Sequence, residues 1–201
     1  MNRKISMFLL LGTVLNLQAH KSEDIYRKGW IDFNKNGVMD IYENPHAPIE
    51  TRIDNLLAQM TLEEKTCQLV TLYGSGRVLK DSLPTPQWKN EIWKDGIANI
   101  DEQANGLGTF GFSLSFPYIH SIENRQVIQR WFVEETRLGI PVDFTNEGIR
   151  GLNHDRATMF PAQCGQGSTW DKELIREIAR VTAEEANALG YTNIYAPLLD
   201  I

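Results

Sequence analysis

Apolar residues recur at helical spacing in three stretches of the chain. From Ile49 to Met60 they fall at 49, 53, 56, 57 and 60, one clean stripe that predicts an amphipathic helix. Thr61-Leu62-Glu63-Glu64 then forms a capping box, with Thr61 as N-cap and Glu64 at N3. It predicts a second short helix running to about Leu72. From Ser121 to Leu138 the pairs Val127/Trp131 and Ile128/Phe132 stand four apart, and Gly139 closes the helix ahead of Pro141. Asp171 caps a third long helix, Lys172 to Leu189. Leu174, Ile175, Ile178, Ala179, Thr182, Ala183 and Ala186 lie on one side, and Gly190 follows its end. Between these stretches the apolar runs are short. Gly106–Ser113, Ile140–Thr145 and Tyr191–Ile201 read as strands. Tyr73 to Gly96 carries Gly74, Gly76, Pro84 and Pro86 and reads as an irregular excursion. Trp88 and Trp93 lie within it, and packing is the commoner fate of such residues than a sugar platform. Strand, helix, strand, helix, strand implies an α/β fold with right-handed crossovers and a parallel sheet.

The first residues follow a different pattern. Arg3 and Lys4 precede an apolar run from Ile5 to Leu17, and Leu17-Gln18-Ala19 supplies a small-residue end. Residues 1–19 therefore read as a secretory signal peptide, too short in its apolar part to span a bilayer, which takes about 20 residues. The expectation is an exported protein, periplasmic or secreted, with no membrane contact once the signal is removed. A net charge of −6 argues against a nucleic-acid partner, which calls for a basic face, and favours a neutral or small-molecule ligand. The two cysteines, Cys67 and Cys164, match neither a zinc site nor a redox motif and are expected to be separate buried thiols.

Residues 20–48 are polar and turn-rich and form an N-terminal arm. Within it, Asp32 to Glu43 fits the twelve-residue calcium-loop pattern. Asp32, Asn34, Asn36 and Asp40 supply oxygens, Gly37 the sharp turn, Val38 its carbonyl, and Glu43 a bidentate carboxylate. A hard cation wants six to eight such oxygens, so a structural Ca²⁺ is expected here, although Pro45 impairs a helix leaving the loop. The alternative is a turn cluster of Asn, Asp and Gly that binds nothing.

Functional groups of α/β sheets and barrels gather at the carboxyl ends of strands. Two acids qualify, Glu147 after the 140–145 strand and Asp200 at the end of the last one. Asn146, Arg150 and His154 surround Glu147 in sequence. A carboxylate among amide, guanidinium and imidazole groups suits the gripping of sugar hydroxyls. From spacing alone, a loop carboxylate paired with Arg150 or capping a helix is the commoner arrangement. Asp200 reads as a structural acceptor. No serine-hydrolase elbow, P-loop or zincin motif is present.

Several blocks together resemble glycoside hydrolase family 3. Arg52-Ile53-Asp54-Asn55-Leu56-Leu57-Ala58-Gln59-Met60-Thr61-Leu62-Glu63-Glu64-Lys65 resembles the family's opening. Thr136-Arg137-Leu138-Gly139-Ile140-Pro141-Val142, Asn146-Glu147-Gly148-Ile149-Arg150-Gly151 and Thr158-Met159-Phe160-Pro161 follow in order. Ser168-Thr169-Trp170-Asp171-Lys172-Glu173-Leu174 and Ala196-Pro197-Leu198-Leu199-Asp200-Ile201 complete the set, so that the likeness covers roughly residues 43–201.

The resemblance implies a (β/α)₈-type barrel, usually followed by an α/β sandwich domain. A complete barrel takes about 250 residues. Residues 49–201 would thus supply an incomplete barrel with about the first three strands, behind a helical and loop-rich arm. It also implies an exo-acting retaining β-glycosidase, with β-glucosidase the default and β-xylosidase the alternative, acting on oligosaccharides or β-glycosides. The nucleophile and acid/base would both lie beyond Ile201, and no cofactor is implied for catalysis. Glu147 occupies the position of the acid that binds sugar hydroxyls in the first subsite, where many glucosidases carry Asp, and Arg150 replaces a histidine. The extra methylene of Glu147 reaches further toward the place of a glucose hydroxymethyl group and favours a pentose, by ~1–3 kcal/mol at most. The rival from another class is a non-catalytic, calcium-stabilised sugar-binding module.

Overall fold

A computed structural model of the chain describes residues 24–73, 93–101 and 118–198. The signal peptide expected at residues 1–19, Trp88, the strand expected at Gly106–Ser113 and Asp200 lie outside the described residues.

The arm opens with a two-residue antiparallel ladder, β1 (Tyr26–Arg27) and β2 (Trp30–Ile31). A single 3₁₀ turn, Ile41–Glu43, follows. Helix α1 (Ile49–Gln59) and helix α2 (Leu62–Cys67) stand where the apolar stripe and the capping box placed them. Thr61 Oγ1 accepts from the Glu64 amide at 3.2 Å, while Glu64 Oε2 accepts from the Thr61 amide at 2.9 Å.

Helix α2 ends at Cys67, short of the expected Leu72. The Cys67 carbonyl accepts from Ala98 N at 3.1 Å, drawing the chain into a sheet. Residues Thr71–Tyr73 form β3 instead, and β4 (Asn99–Asp101) lies beside it. Helix α3 (Tyr118–Glu135) leads through Gly139 to β5 (Asp143–Glu147). The short α4 (Gln163–Gly167) and the long α5 (Lys172–Ala188) then carry the chain to β6 (Asn193–Tyr195). Asp171 caps α5 through Oδ1, which accepts from Glu173 N at 3.0 Å and Leu174 N at 3.1 Å.

Strands β3, β4, β5 and β6 make one parallel sheet in sequential order. Helices stand between β4 and β5 and between β5 and β6, and parallel strands joined in that way are the arrangement of a βα-repeat fold. The described residues thus hold four parallel strands, where about three were expected. Neither β3 nor β4 was anticipated, because each is only three residues long and alternates polar with apolar positions.

That alternation divides the sheet. Leu72, Ile100, Phe144 and Ile194 point to one side and join Ile128, Phe132, Ala186 and Tyr191 in the apolar core. The other side carries Thr71, Asn99, Asp101, Asp143, Thr145 and Glu147.

The arm is fastened to the core. The Lys35 ammonium donates to the carbonyls of Phe33 at 2.6 Å, Val133 at 3.1 Å and Thr136 at 2.6 Å. It thereby satisfies the carbonyl end of α3, where cations are favoured. Arg137 Nε reaches Glu64 Oε1 at 2.8 Å, and Arg137 Nη2 bonds the second oxygen of the same carboxylate. The two thiols are free, as expected, but they are not both buried. Cys67 is half-buried, whereas Cys164 is exposed on α4, a helix with no buried residue. Among the described residues no helix is long and apolar enough to cross a membrane.

Candidate functional site

Glu147 is the last residue of β5, opposite Tyr195 of β6, at the carboxyl edge of the sheet. Its side chain is half-buried, and among the described residues its carboxylate has no hydrogen-bond or ion-pair partner. Arg150 is exposed and unpaired in the same sense. An ion pair between them, one of the two readings of the sequence, does not form. Both groups are left available to a ligand.

The other two polar neighbours behave differently. Asn146 has no exposed surface and sits on the opposite pleat from Glu147. Its Nδ2 donates to the Asn153 carbonyl at 3.1 Å, and its Oδ1 accepts from the Glu147 amide at 2.8 Å. The His154 side chain is wholly buried, and its Nδ1 accepts from the Arg156 amide at 3.1 Å. Burial depresses its pKa and keeps the imidazole neutral, with nearby Arg125 and Arg156 adding to the effect and Asp155 opposing it. Asn146 and His154 therefore do not join Glu147 and Arg150 in a single row of sugar-facing donors. Their place in the sequence was legible, but the direction of each side chain was not.

The structure adds acids and hydroxyls that the sequence reading missed. Asp101, at the carboxyl end of β4, is buried on the same sheet face as Glu147. Lower on that face, Asp143 Oδ2 accepts from Asn99 Nδ2 at 3.2 Å and Asn193 Nδ2 at 3.0 Å, and the Thr192 hydroxyl bonds its Oδ1. Burial raises the Tyr195 pKa, and the charge of Asp101 adds to it. The signal for this face was the alternation Asn99-Ile100-Asp101, too short to stand out alone. A face of carboxylates and hydroxyls suits a neutral, hydroxyl-rich ligand, because an ionised carboxylate is an acceptor that makes strong bonds to O–H donors.

The loop from Asp32 to Glu43 gathers its polar side chains. Asp32 is buried, and its carboxylate accepts from Asn36 N at 3.1 Å, Gly37 N at 2.9 Å and Arg27 Nη2 at 3.3 Å. Glu43, also buried, accepts from Asn34 N at 3.3 Å and Asp40 N at 2.9 Å. Asp40 Oδ2 takes the side-chain amides of Asn34 at 2.6 Å and Asn36 at 2.8 Å. Among the described residues no three His, Cys, Asp or Glu side chains converge to hold a metal ion. An all-oxygen set nonetheless suits a hard cation, provided that Asn34 and Asn36 turn their amide oxygens inward. Val38, whose carbonyl completes the pattern, is exposed.

Comparison with known proteins bears on this arrangement. A "Beta-xylosidase" of Formosa agariphila is 41% identical over 70 residues, covering 32% of this chain and 10% of that protein. A "Periplasmic beta-glucosidase/beta-xylosidase" of Dickeya chrysanthemi is 27% identical over 187 residues, covering 85% of this chain and 26% of its own length. Among solved structures, an exo-1,3/1,4-β-glucanase from a Pseudoalteromonas species superposes with a TM-score of 0.59 at 24% identity. That match covers 85% of this chain and 19% of the other, and it establishes likeness of fold. The chain thus spans between a tenth and about a quarter of the length of these relatives. The sequence profile of the glycosyl hydrolase family 3 N-terminal domain matches residues 61–201, most of the chain. With Glu147 at the carboxyl edge of a parallel α/β sheet inside that match, the chain belongs to glycosyl hydrolase family 3.

Proposed function

We propose that this chain is the N-terminal part of an exported, exo-acting retaining β-glycosidase of the β-glucosidase type, which removes terminal non-reducing β-linked sugars. In this reading the four parallel strands are the opening of an incomplete (β/α)₈ barrel. Glu147 binds hydroxyls of the sugar in the first subsite, and Arg150 stands beside it. The observation that carries the proposal is the free, half-buried Glu147 carboxylate at the end of β5. Retention requires a carboxylate pair about 5–5.5 Å apart, and both members belong to polypeptide outside this chain. The periplasmic Dickeya relative supports export.

Ligand-observed NMR of the chain with methyl β-D-glucoside and methyl β-D-xyloside tests the site. Binding in the millimolar range, weakened about tenfold or more by Glu147→Gln, is expected, since that is the loss of a charge-assisted hydrogen bond. Indifference to both sugars, or to the substitution, overturns the role of Glu147. Hydrolysis of p-nitrophenyl β-glycosides by the chain alone overturns the placement of the catalytic carboxylates. Tighter binding of the xyloside favours the β-xylosidase alternative, which the length of Glu147 and the relatives' names support.

The loop Asp32–Glu43 is proposed to hold a structural Ca²⁺ through Asp32, Asn34, Asn36, the Val38 carbonyl, Asp40 and Glu43. The support is its oxygen-only donor set with two buried carboxylates. Calcium at a hundred times its Kd would stabilise the chain by about 2.7 kcal/mol. A thermal midpoint unmoved by millimolar Ca²⁺ removes the ion and, with it, the calcium-stabilised binding module as a rival reading.

A further inference from the structure

We propose that Asn146 is the positioning residue for Glu147, locking the backbone that carries the carboxylate while leaving the carboxylate itself free. The inference rests on the reading of Glu147 as a sugar-binding acid and assigns a role to a residue that the sugar never touches.

Both backbone groups of Glu147 are held in one closed ring. Its N–H is taken by Asn146 Oδ1 at 2.8 Å, and its carbonyl accepts from Asn153 N at 2.8 Å. Asn146 Nδ2 completes the ring on the Asn153 carbonyl at 3.1 Å. A single buried amide therefore ties the strand end to the point where the following loop returns. The orientation of that amide is not arbitrary. Rotating it by half a turn would set Nδ2 against the Glu147 N–H and Oδ1 against the Asn153 carbonyl, losing both bonds.

Neighbouring contacts fix the rest of the loop. Gly148 N donates to the Tyr195 carbonyl at 3.2 Å, and a Cβ at Gly148 would collide with Ile194. Phe160 N donates to the Arg150 carbonyl at 2.8 Å. Thr158 bonds Glu185 of α5 through its amide at 2.9 Å and its hydroxyl at 2.7 Å. Every restraint falls on backbone or on side chains other than Glu147 and Arg150. A ligand that meets such a site loses little free energy in ordering it, which is the energetic content of preorganisation.

Two variants of the full chain separate positioning from folding. Asn146→Ala removes both side-chain bonds. Asn146→Asp keeps the acceptor for the Glu147 amide but sets a buried carboxylate oxygen against the Asn153 carbonyl. Amide hydrogen exchange and sugar titration are measured on each and on the wild type. Exchange at Glu147 and Asn153 should accelerate in the variants while β4 amides stay protected, and sugar affinity should fall about tenfold. For Asn146→Asp the affinity relative to wild type should recover as pH falls, because a protonated carboxyl regains an O–H donor. A role confined to stability would lower the melting point and leave the affinity of the folded protein alone.

Unchanged affinity in a variant with a loosened loop overturns the proposal. So does fast exchange of the Glu147 and Asn153 amides in the wild type, which needs no folded variant. If the wild type shows a protected loop but binds neither methyl glycoside, the role of Glu147 fails first, and that of Asn146 falls with it.

Discussion

Gly139 adopts φ +58°, a conformation that L side chains rarely take, in the turn between α3 and β5. A Cβ there would stand 2.6 Å from the Phe33 carbonyl oxygen and 2.9 Å from that of Val133. Gly139→Ala should therefore destabilise the chain by about 2 kcal/mol or more in urea melts, the sum of backbone strain and a collision with the arm. A cost near zero would show that the arm is not seated on this turn. Gly139 and Glu147 were both legible in the sequence, one as a helix stop and one as an acid after a strand, because each signal is local. What Asn146 and His154 do was not legible. A polar residue beside a candidate acid reads as a second ligand-binding group until its burial and partners are known. Here both side chains are turned into the protein and engaged with loop amides or carbonyls.

Among the elements, the helices carried clear signals and the short strands did not. Helix α1 showed a full stripe, α2 a capping box and α5 a capping aspartate, each a pattern spread over many residues or a defined motif. Strands β3 and β4 are three residues each, and on the sheet face away from the apolar core they carry Thr71, Asn99 and Asp101 rather than Val or Ile. A parallel strand is ordinarily apolar on both faces, and that expectation hid them. Helix α3 also ended earlier than its spacing suggested. Lys35 collects the Val133 and Thr136 carbonyls, while Thr136 Oγ1 donates to the Phe132 carbonyl at 2.5 Å. Lys35→Met removes a charged cap from three carbonyls and should cost about 2 kcal/mol, with exchange accelerating first at the last turn of α3. Uniform loss of protection across the sheet would instead mean that Lys35 supports the fold globally.

At the scale of the whole molecule, His154 and Glu64 are two of the described side chains whose environments couple stability to acid. His154 is held neutral by burial, so the unfolded chain binds a proton below about pH 6.5 that the native chain refuses. Stability is complete above that pH and falls as pH drops through it toward the depressed native value. For Glu64, burial pushes the pKa up, but bonding to Arg137 and to Thr61 outweighs it and the net shift is downward. That contribution is present above the ordinary carboxylate range, near 4.3, and is lost as pH falls below it. Urea titrations should show a first loss between about pH 7 and pH 5, abolished by His154→Gln, and a second below about pH 4.5. A flat profile down to pH 5 would place the imidazole in water.

The family profile begins at residue 61, and everything before that looks like a detachable leader. The fastening of the arm says otherwise. Lys35 closes α3, Tyr42 Oη donates to the Leu138 carbonyl at 3.4 Å, and Phe33 lies against Gly139, all inside the profile's territory. An expression boundary drawn at the profile's edge would open a helix end and uncover the turn that aims β5. The same holds for any rearrangement that grafts residues 61–201 behind another leader. The seam between the arm and the family-matched region does not coincide with a physical one. Recombination or engineering at this end must move the whole of residues 24–198 together, or supply a new partner for those carbonyls.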